Sequence, residues 1–146
     1  MIGRSWTVSA AVVMALCVGC SSSASEGRPL CAPCPLPVRV SISGIDWNAS
    51  DGGRIRVCVG DLPCVESRVT REAGVVTCAS VGCQAIGTNT LNVTLDEKNA
   101  RRVAEFPVRV TAWSGKERWQ GAGAMEYTSG GSGPCACPRS HAHVSL

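Results

Sequence analysis

Cysteine content constrains the fold of this chain more than any other feature. The 146 residues include ten cysteines but only one phenylalanine and one tyrosine, so aromatic side chains add little to a core. An even number of cysteines in such a chain is typical of an exported domain held by disulfide bonds. Eight cysteines beyond residue 20 are predicted to form this framework: Cys31, Cys34, Cys58, Cys64, Cys78, Cys83, Cys135 and Cys137.

The first twenty residues are typical of an export signal. Arg4 precedes an uncharged run over residues 7–18, and two small residues stand before Cys20. A charged start, a short apolar run and small residues before a cleavage site form the pattern of a secretory signal peptide. The run is shorter than the ~20 residues that a membrane-spanning helix needs. Residues 1–19 are therefore predicted to be a cleaved signal peptide.

The end of that signal resembles the bacterial lipobox, in which the cysteine after the cleavage site receives a diacylglyceryl thioether. The usual leucine three residues before the cysteine is Cys17 here, with Leu16 one position earlier, while Val18 and Gly19 match the pattern. The resemblance implies that Cys20 is the lipidation site. Several acyl chains on one residue, palmitate among them, give firm membrane anchoring. The alternative is ordinary secretion, with Cys20 as a free or bridged thiol.

A single domain remains after the predicted cleavage. We predict a lipidated cysteine and flexible tether over residues 20–37 and a folded domain over residues 38–146. Loss of Arg4 reduces the 14 lysines and arginines to 13, against 11 aspartates and glutamates, a net charge of +2. The charges alternate in sign along the chain, which predicts no nucleic-acid partner, because such partners usually require a basic stripe. The predicted location is outside the cytoplasmic membrane or on the outer membrane, with the membrane itself as a partner through the lipid.

Apolar and polar residues alternate with a period of two from Val38 onward, which is the pattern of half-buried strands. The segments that show it are 38–43, 54–59, 64–69, 75–79, 91–95, 108–113 and 142–146, with a weaker one at 117–127. About seven short strands with turns between them predict an all-β fold, a single antiparallel β-sandwich of immunoglobulin-like architecture. Residues 96–105 could form a helix, but Val103 is their only strongly apolar residue. A turn over 96–99 followed by a strand from Arg101 is therefore preferred.

Two cysteine pairs are expected to bridge locally. Cys58 and Cys64 flank a predicted turn, so a hairpin would bring them close together. Cys78 and Cys83 enclose another tight connection.

The other four cysteines lie in two clusters, one before the first strand and one before the last. Cys31 and Cys34 precede the first strand, and Cys135 and Cys137 precede the last. The first and last strands of a sandwich often lie side by side in parallel, which would bring the clusters together. We therefore predict that the first cluster bridges the second and closes the domain end to end. A bond between Cys31 and Cys34 would contradict this prediction.

The whole arrangement resembles a group of small exported proteins of actinobacteria. These combine a lipobox, a strand ending in Val-Cys with a second cysteine soon after, and a closing Pro-Cys-x-Cys-Pro before a final strand. The corresponding positions here are Cys20, Cys58 with Cys64, and residues 134–138. The resemblance implies an envelope lipoprotein with a cysteine-rich, Ig-like sandwich, and it implies no particular activity.

Two residue groups could carry chemistry. The Cys31-Ala-Pro-Cys34 segment has the C-x-x-C spacing of redox motifs, but prolines surround it and no helix follows to activate a thiol. His141 and His143 alternate on one predicted strand and share a face, so they are candidate ligands for Zn²⁺ or copper. Oxidation of the cysteines to disulfides competes with any contribution of thiolates to that site.

No enzyme motif is present, neither G-x-S-x-G nor H-E-x-x-H nor a glycine-rich phosphate loop. The chain is therefore predicted not to be an enzyme, without catalytic residues and without a cofactor. Trp47, Trp113 and Trp119 are expected to pack in the core or over a strand edge, because aromatic residues are so few.

Two functional hypotheses follow. The first is a lipid-anchored binding or structural module of the envelope that meets a protein or envelope ligand through loops over residues 46–53 and 113–119. The second is an extracytoplasmic metal-binding protein that uses His141 and His143.

Overall fold

The computed structural model describes residues 30–47 and 52–146. A compact unit extends from Cys31 to Leu146. The predicted signal peptide, Cys20 and most of the predicted tether lie outside the described residues. In the described ranges, no helix has the length and apolar character needed to cross a membrane.

Ten strands and one 3₁₀ helix form the described part of the chain. The strands are β1 (Val38–Ser43), β2 (Gly53–Val59), β3 (Val65–Glu72), β4 (Val75–Cys78), β5 (Gly82–Ile86), β6 (Thr90–Leu95), β7 (Pro107–Ser114), β8 (Glu117–Ala124), β9 (Glu126–Thr128) and β10 (Arg139–Ser145). The 3₁₀ helix covers Ala100–Val103.

The strands make two five-stranded sheets, which we call sheet A, in the order β5-β6-β1-β10-β9, and sheet B, in the order β4-β3-β2-β7-β8. Neighbouring strands are antiparallel, except that β1 and β10 run parallel. The structure thus confirms the predicted all-β, mainly antiparallel sandwich. It also places the first and last strands side by side, with Val38 opposite Ser140.

The core lies between the sheets because alternate residues of each strand point to the same face. On β1, Val38, Val40 and Ile42 are fully buried. Each such side chain stabilises the fold by about 1.5–3 kcal/mol relative to an exposed position. Trp47 is also in the core, as expected, and its indole N–H has no hydrogen-bond acceptor among the described residues.

Disulfide bonds close the domain where the two terminal strands begin. The bonds there join Cys31 to Cys135 and Cys34 to Cys137. Because β1 and β10 are parallel neighbours, the cysteine clusters that precede them meet at one end of sheet A. This is the predicted end-to-end closure, and the structure adds the order of pairing within the two clusters.

The two local disulfides are also the expected ones, Cys58 to Cys64 and Cys78 to Cys83. The second has a role that the sequence did not reveal. Cys78 ends β4 at the edge of sheet B, and Cys83 lies in β5 at the edge of sheet A. The chain crosses between sheets within these few residues, so the bond holds two sheet edges together.

The strand predicted from Arg101 is wrong, because residues 100–103 form a 3₁₀ helix. The Asn99 side chain caps this helix by accepting a 3.2 Å hydrogen bond from the backbone N–H of Arg102. Ala100 and Val103 are both buried. A strand would point residues three apart to opposite faces, whereas a 3₁₀ helix, with three residues per turn, points both to the core.

Glycines in β8, an edge strand of sheet B, allow this strand to approach β10 of sheet A closely. A Cβ atom at Gly121 would collide with the backbone oxygen of Ser145, and one at Gly123 would lie 2.7 Å from the oxygen of His143. Ser145 and His143 belong to β10 in sheet A, and the glycines belong to sheet B. The glycines that weakened the strand pattern in the sequence are therefore packing positions.

Candidate functional site

The outer face of sheet B carries a concentration of arginines. Inward positions of β2, β3 and β7 hold buried residues such as Ile55, Val69 and Val110. The alternate positions of these strands and of β8 point outward and include exposed basic residues. We call this set the arginine face; it comprises Arg54, Arg56, Arg68, Arg109 and Arg118.

Strand register aligns part of the arginine face into one row. Arg54 lies opposite Arg68 of β3 on one side and opposite Trp113 of β7 on the other. Trp113 in turn lies opposite Arg118 of β8. The row across four adjacent strands is therefore Arg68, Arg54, Trp113 and Arg118. Trp113 is half-buried, and the Arg118 guanidinium carbon is 5.8 Å from its ring centre, within the range of a cation–π contact.

Few acidic residues neutralise this face. Glu66 and Glu72 are its outward carboxylates on the strands, which leaves five guanidiniums less two carboxylates, or +3. Arg54 Nη1 lies 3.7 Å from Glu66 Oε1, but the side chains are 61% and 51% exposed. Solvent weakens an ion pair as exposed as this one. The face therefore keeps a net positive charge.

The direct opposition of Arg54 and Arg68 is unfavourable in the isolated domain. Like charges at directly opposite positions of an antiparallel pair destabilise a sheet. An anion between the two guanidiniums would remove that repulsion.

The order of charges along the chain does not predict the arginine face, because it does not show which residues share a face of a sheet. The available signal was the alternation itself, in Arg54-Ile55-Arg56-Val57 and again around Arg109. Sorting outward from inward positions within each predicted strand shows that these arginines point to solvent, but not that their strands share a sheet.

The predicted histidine pair lies on the outer face of the other sheet. His141 and His143 are on β10, with ring centres 5.4 Å apart in an edge-to-face arrangement. His141 Nε2 is 3.7 Å from Glu126 Oε2 of β9, an ion pair when the imidazole is protonated. The structure therefore brings the two predicted ligands together and adds one nearby carboxylate.

A groove of about 340 Å³ runs beside these histidines. Leu36 and Pro138 contribute apolar side chains, and Ser41 and Asn92 contribute polar ones. The Ser41 hydroxyl and Asn92 Oδ1 are joined by a 2.7 Å hydrogen bond. The groove thus combines an apolar wall beside the terminal disulfides with polar groups of β1 and β6.

Metal-ligating groups are limited on this face. In residues 30–47 and 52–146, no three or more His, Cys, Asp or Glu side chains are grouped so as to hold a metal ion. The eight cysteines from Cys31 to Cys137 are in disulfides, so their thiolates are not available as ligands. A site here would depend on His141 and His143.

The two loops predicted to contact a partner are described to different extents by the structure. Residues 48–51 of the first loop lie outside the described residues. The second loop is the β7–β8 hairpin, and its two tryptophans lie in different surroundings. Trp119 packs against the core, whereas Trp113 lies on the arginine face beside Arg118.

Comparisons with protein-family models, curated proteins and solved structures found no match. The resemblance to exported actinobacterial proteins therefore stays a prediction. Four disulfides are characteristic of an oxidising, extracytoplasmic environment. The fold defines a disulfide-bonded β-sandwich domain of that environment.

Proposed function

We propose that this protein is a lipid-anchored module of the cell envelope that binds an anionic partner through the arginine face. The row Arg68, Arg54, Trp113 and Arg118 is the observation that carries the proposal. Location outside the cytoplasm is supported by the disulfides, and anchoring is supported by the lipobox-like segment that ends at Cys20.

The chemistry of the arginine face suits phosphate or carboxylate groups. A guanidinium is planar, permanently charged and able to donate two parallel hydrogen bonds to either anion. Paired strands fix the backbone spacing of these arginines, so little ordering of the backbone is needed on binding. An anion that bridges Arg54 and Arg68 would also relieve their mutual repulsion.

Intact mass of the protein from its native membrane tests the anchor. We expect the mass of the chain from Cys20 onward plus acyl groups, with no alkylation of thiols until the disulfides are reduced. A soluble, unlipidated protein with alkylatable thiols would overturn both the anchoring and the scaffold.

Binding to isolated cell-envelope fragments tests the surface. We expect the protein to sediment with the fragments and the double variant Arg56→Gln/Arg109→Gln to sediment much less. The matched control is Arg39→Gln/Arg139→Gln, which removes the same charge from the outer face of sheet A. Equal losses in the two variants would contradict a role for the arginine face.

The histidine pair supports a second candidate function, extracytoplasmic binding of Zn²⁺ or copper. Its specific support is the 5.4 Å separation of the His141 and His143 rings on one face. Calorimetric titration with each ion tests it, since His143→Gln should abolish binding and Ser145→Gln, two residues along the same face, should not. Unchanged affinity in His143→Gln would exclude the site.

A further inference from the structure

We infer that the partner of the arginine face is the anionic phospholipid surface of the membrane that carries the anchor. The inference rests on the proposed function and names its partner. It uses three observations: the spread of the arginines over four adjacent strands, the tryptophan among them, and the short connection from Cys20 to the folded domain.

The arginine face spreads its guanidiniums over four strands, and a membrane presents many phosphate groups over a similar area. Neighbouring strands lie about 4.7–4.9 Å apart, so β3, β2, β7 and β8 spread their side chains over roughly 15 Å. Arg68 and Arg118 stand on the outermost of these strands, and Arg56 and Arg109 stand between them. The headgroups of a bilayer surface can meet several of these guanidiniums together.

Trp113 favours a membrane over a soluble polyanion. Indole rings are enriched where a membrane meets water, because one part of the ring is apolar and its N–H is polar. Trp113 is half-buried on the arginine face, with Arg54 opposite on one strand and Arg118 opposite on the other. A headgroup layer offers phosphates to the guanidiniums and a less polar boundary to the ring.

The length of chain before the domain limits its distance from the anchor. Eleven residue steps separate Cys20 from Cys31, which at full extension reach roughly 40 Å. A domain tethered within that distance experiences a high effective concentration of headgroups. The tether therefore adds to the affinity that the arginine face has for headgroups on its own.

Vesicle sedimentation without the lipid tests this inference. The probe is the chain over residues 20–146 with Cys20→Ser and its disulfides formed, mixed with vesicles of phosphatidylcholine alone or of phosphatidylcholine with phosphatidylglycerol. We expect binding only to the vesicles that contain phosphatidylglycerol, and loss of that binding as salt is added. Each arginine at a membrane surface changes binding by about fivefold, so Arg56→Gln/Arg109→Gln should weaken it by about 25-fold.

Matched variants and a soluble polyanion show whether binding depends on the arginine face and on a membrane. The control Arg39→Gln/Arg139→Gln should bind much more tightly than Arg56→Gln/Arg109→Gln, although the net charges are equal. Equal weakening would overturn the inference by showing that net charge alone drives binding. Binding to soluble polyphosphate without binding to phosphatidylglycerol vesicles would also overturn it, in favour of an anionic polymer. Since the probe carries no lipid, an absence of vesicle binding would contradict this inference alone. The intact mass would still test the lipid on Cys20 separately.

Discussion

The hydroxyl of Ser140 donates a 2.7 Å hydrogen bond to the backbone oxygen of Ala100. The bond is buried and joins β10 to the 3₁₀ helix 40 residues earlier in the chain. We predict that Ser140→Ala lowers the free energy of unfolding by about 1–3 kcal/mol, because a buried acceptor loses its donor. Chemical denaturation measures the change. Ser145→Ala, at an exposed position of the same strand, is the control, and equal losses in the two variants would contradict the prediction.

The two terminal disulfides should stabilise the domain in a non-additive way. Each closes a span of more than a hundred residues, with sequence separations of 104 and 103. Once Cys34–Cys137 is formed, however, Cys31–Cys135 closes only a small ring. Removing either bond should therefore cost about 2 kcal/mol, and removing both about 7 kcal/mol. Denaturation of the two single-bond variants and of the combined variant checks this, and strict additivity would show that the bonds act independently.

Substitution of Gly121 should force β8 of sheet B away from β10 of sheet A. We predict that Gly121→Ala destabilises the domain by about 1–3 kcal/mol, because the added methyl group meets the backbone of β10. Gly133→Ala is a matched control, since a Cβ at Gly133 has no atom within 4 Å. Thermal unfolding of the two variants compares them. Wild-type stability in Gly121→Ala would mean that β8 shifts without penalty.

Removal of one opposed arginine should stabilise the free domain. Arg68→Gln eliminates the like-charge pair with Arg54, so we expect the free energy of unfolding to rise by about 0.2–1 kcal/mol. The gain should shrink as salt screens the repulsion. Denaturation at low and high ionic strength measures both effects, with Arg101→Gln, which lies outside the arginine face, as the control. A loss of stability in Arg68→Gln would contradict the proposed repulsion.

The sandwich was predictable because its strands alternate so regularly. The run from Val38 to Ser43 buries every second residue, as the pattern indicates. β5 was missed because it is a short edge strand whose inward residues, Cys83 and Ala85, are only partly buried. The 3₁₀ helix was missed because its buried residues, Ala100 and Val103, are joined to the core by a hydrogen bond from β10, which no local pattern reveals.

The candidate sites were predictable only where the evidence is local. His141 and His143 are two residues apart, so strand periodicity alone places them on one face. The row of Arg68, Arg54 and Arg118 depends on the register between strands that are distant in the chain. Register is determined by tertiary pairing, so the row emerged only from the structure.

The parallel pairing of β1 with β10 and the disulfides that precede these strands determine how the domain bears mechanical load. A pulling force applied to the chain before Cys31 enters the domain through covalent bonds to Cys135 and Cys137. The force is thus shared between the two strands at their common end, and β1 cannot be peeled away from β10 from that end. At this end of sheet A, tension on the preceding chain is therefore carried by sulfur–sulfur bonds and not by the hydrogen bonds between β1 and β10.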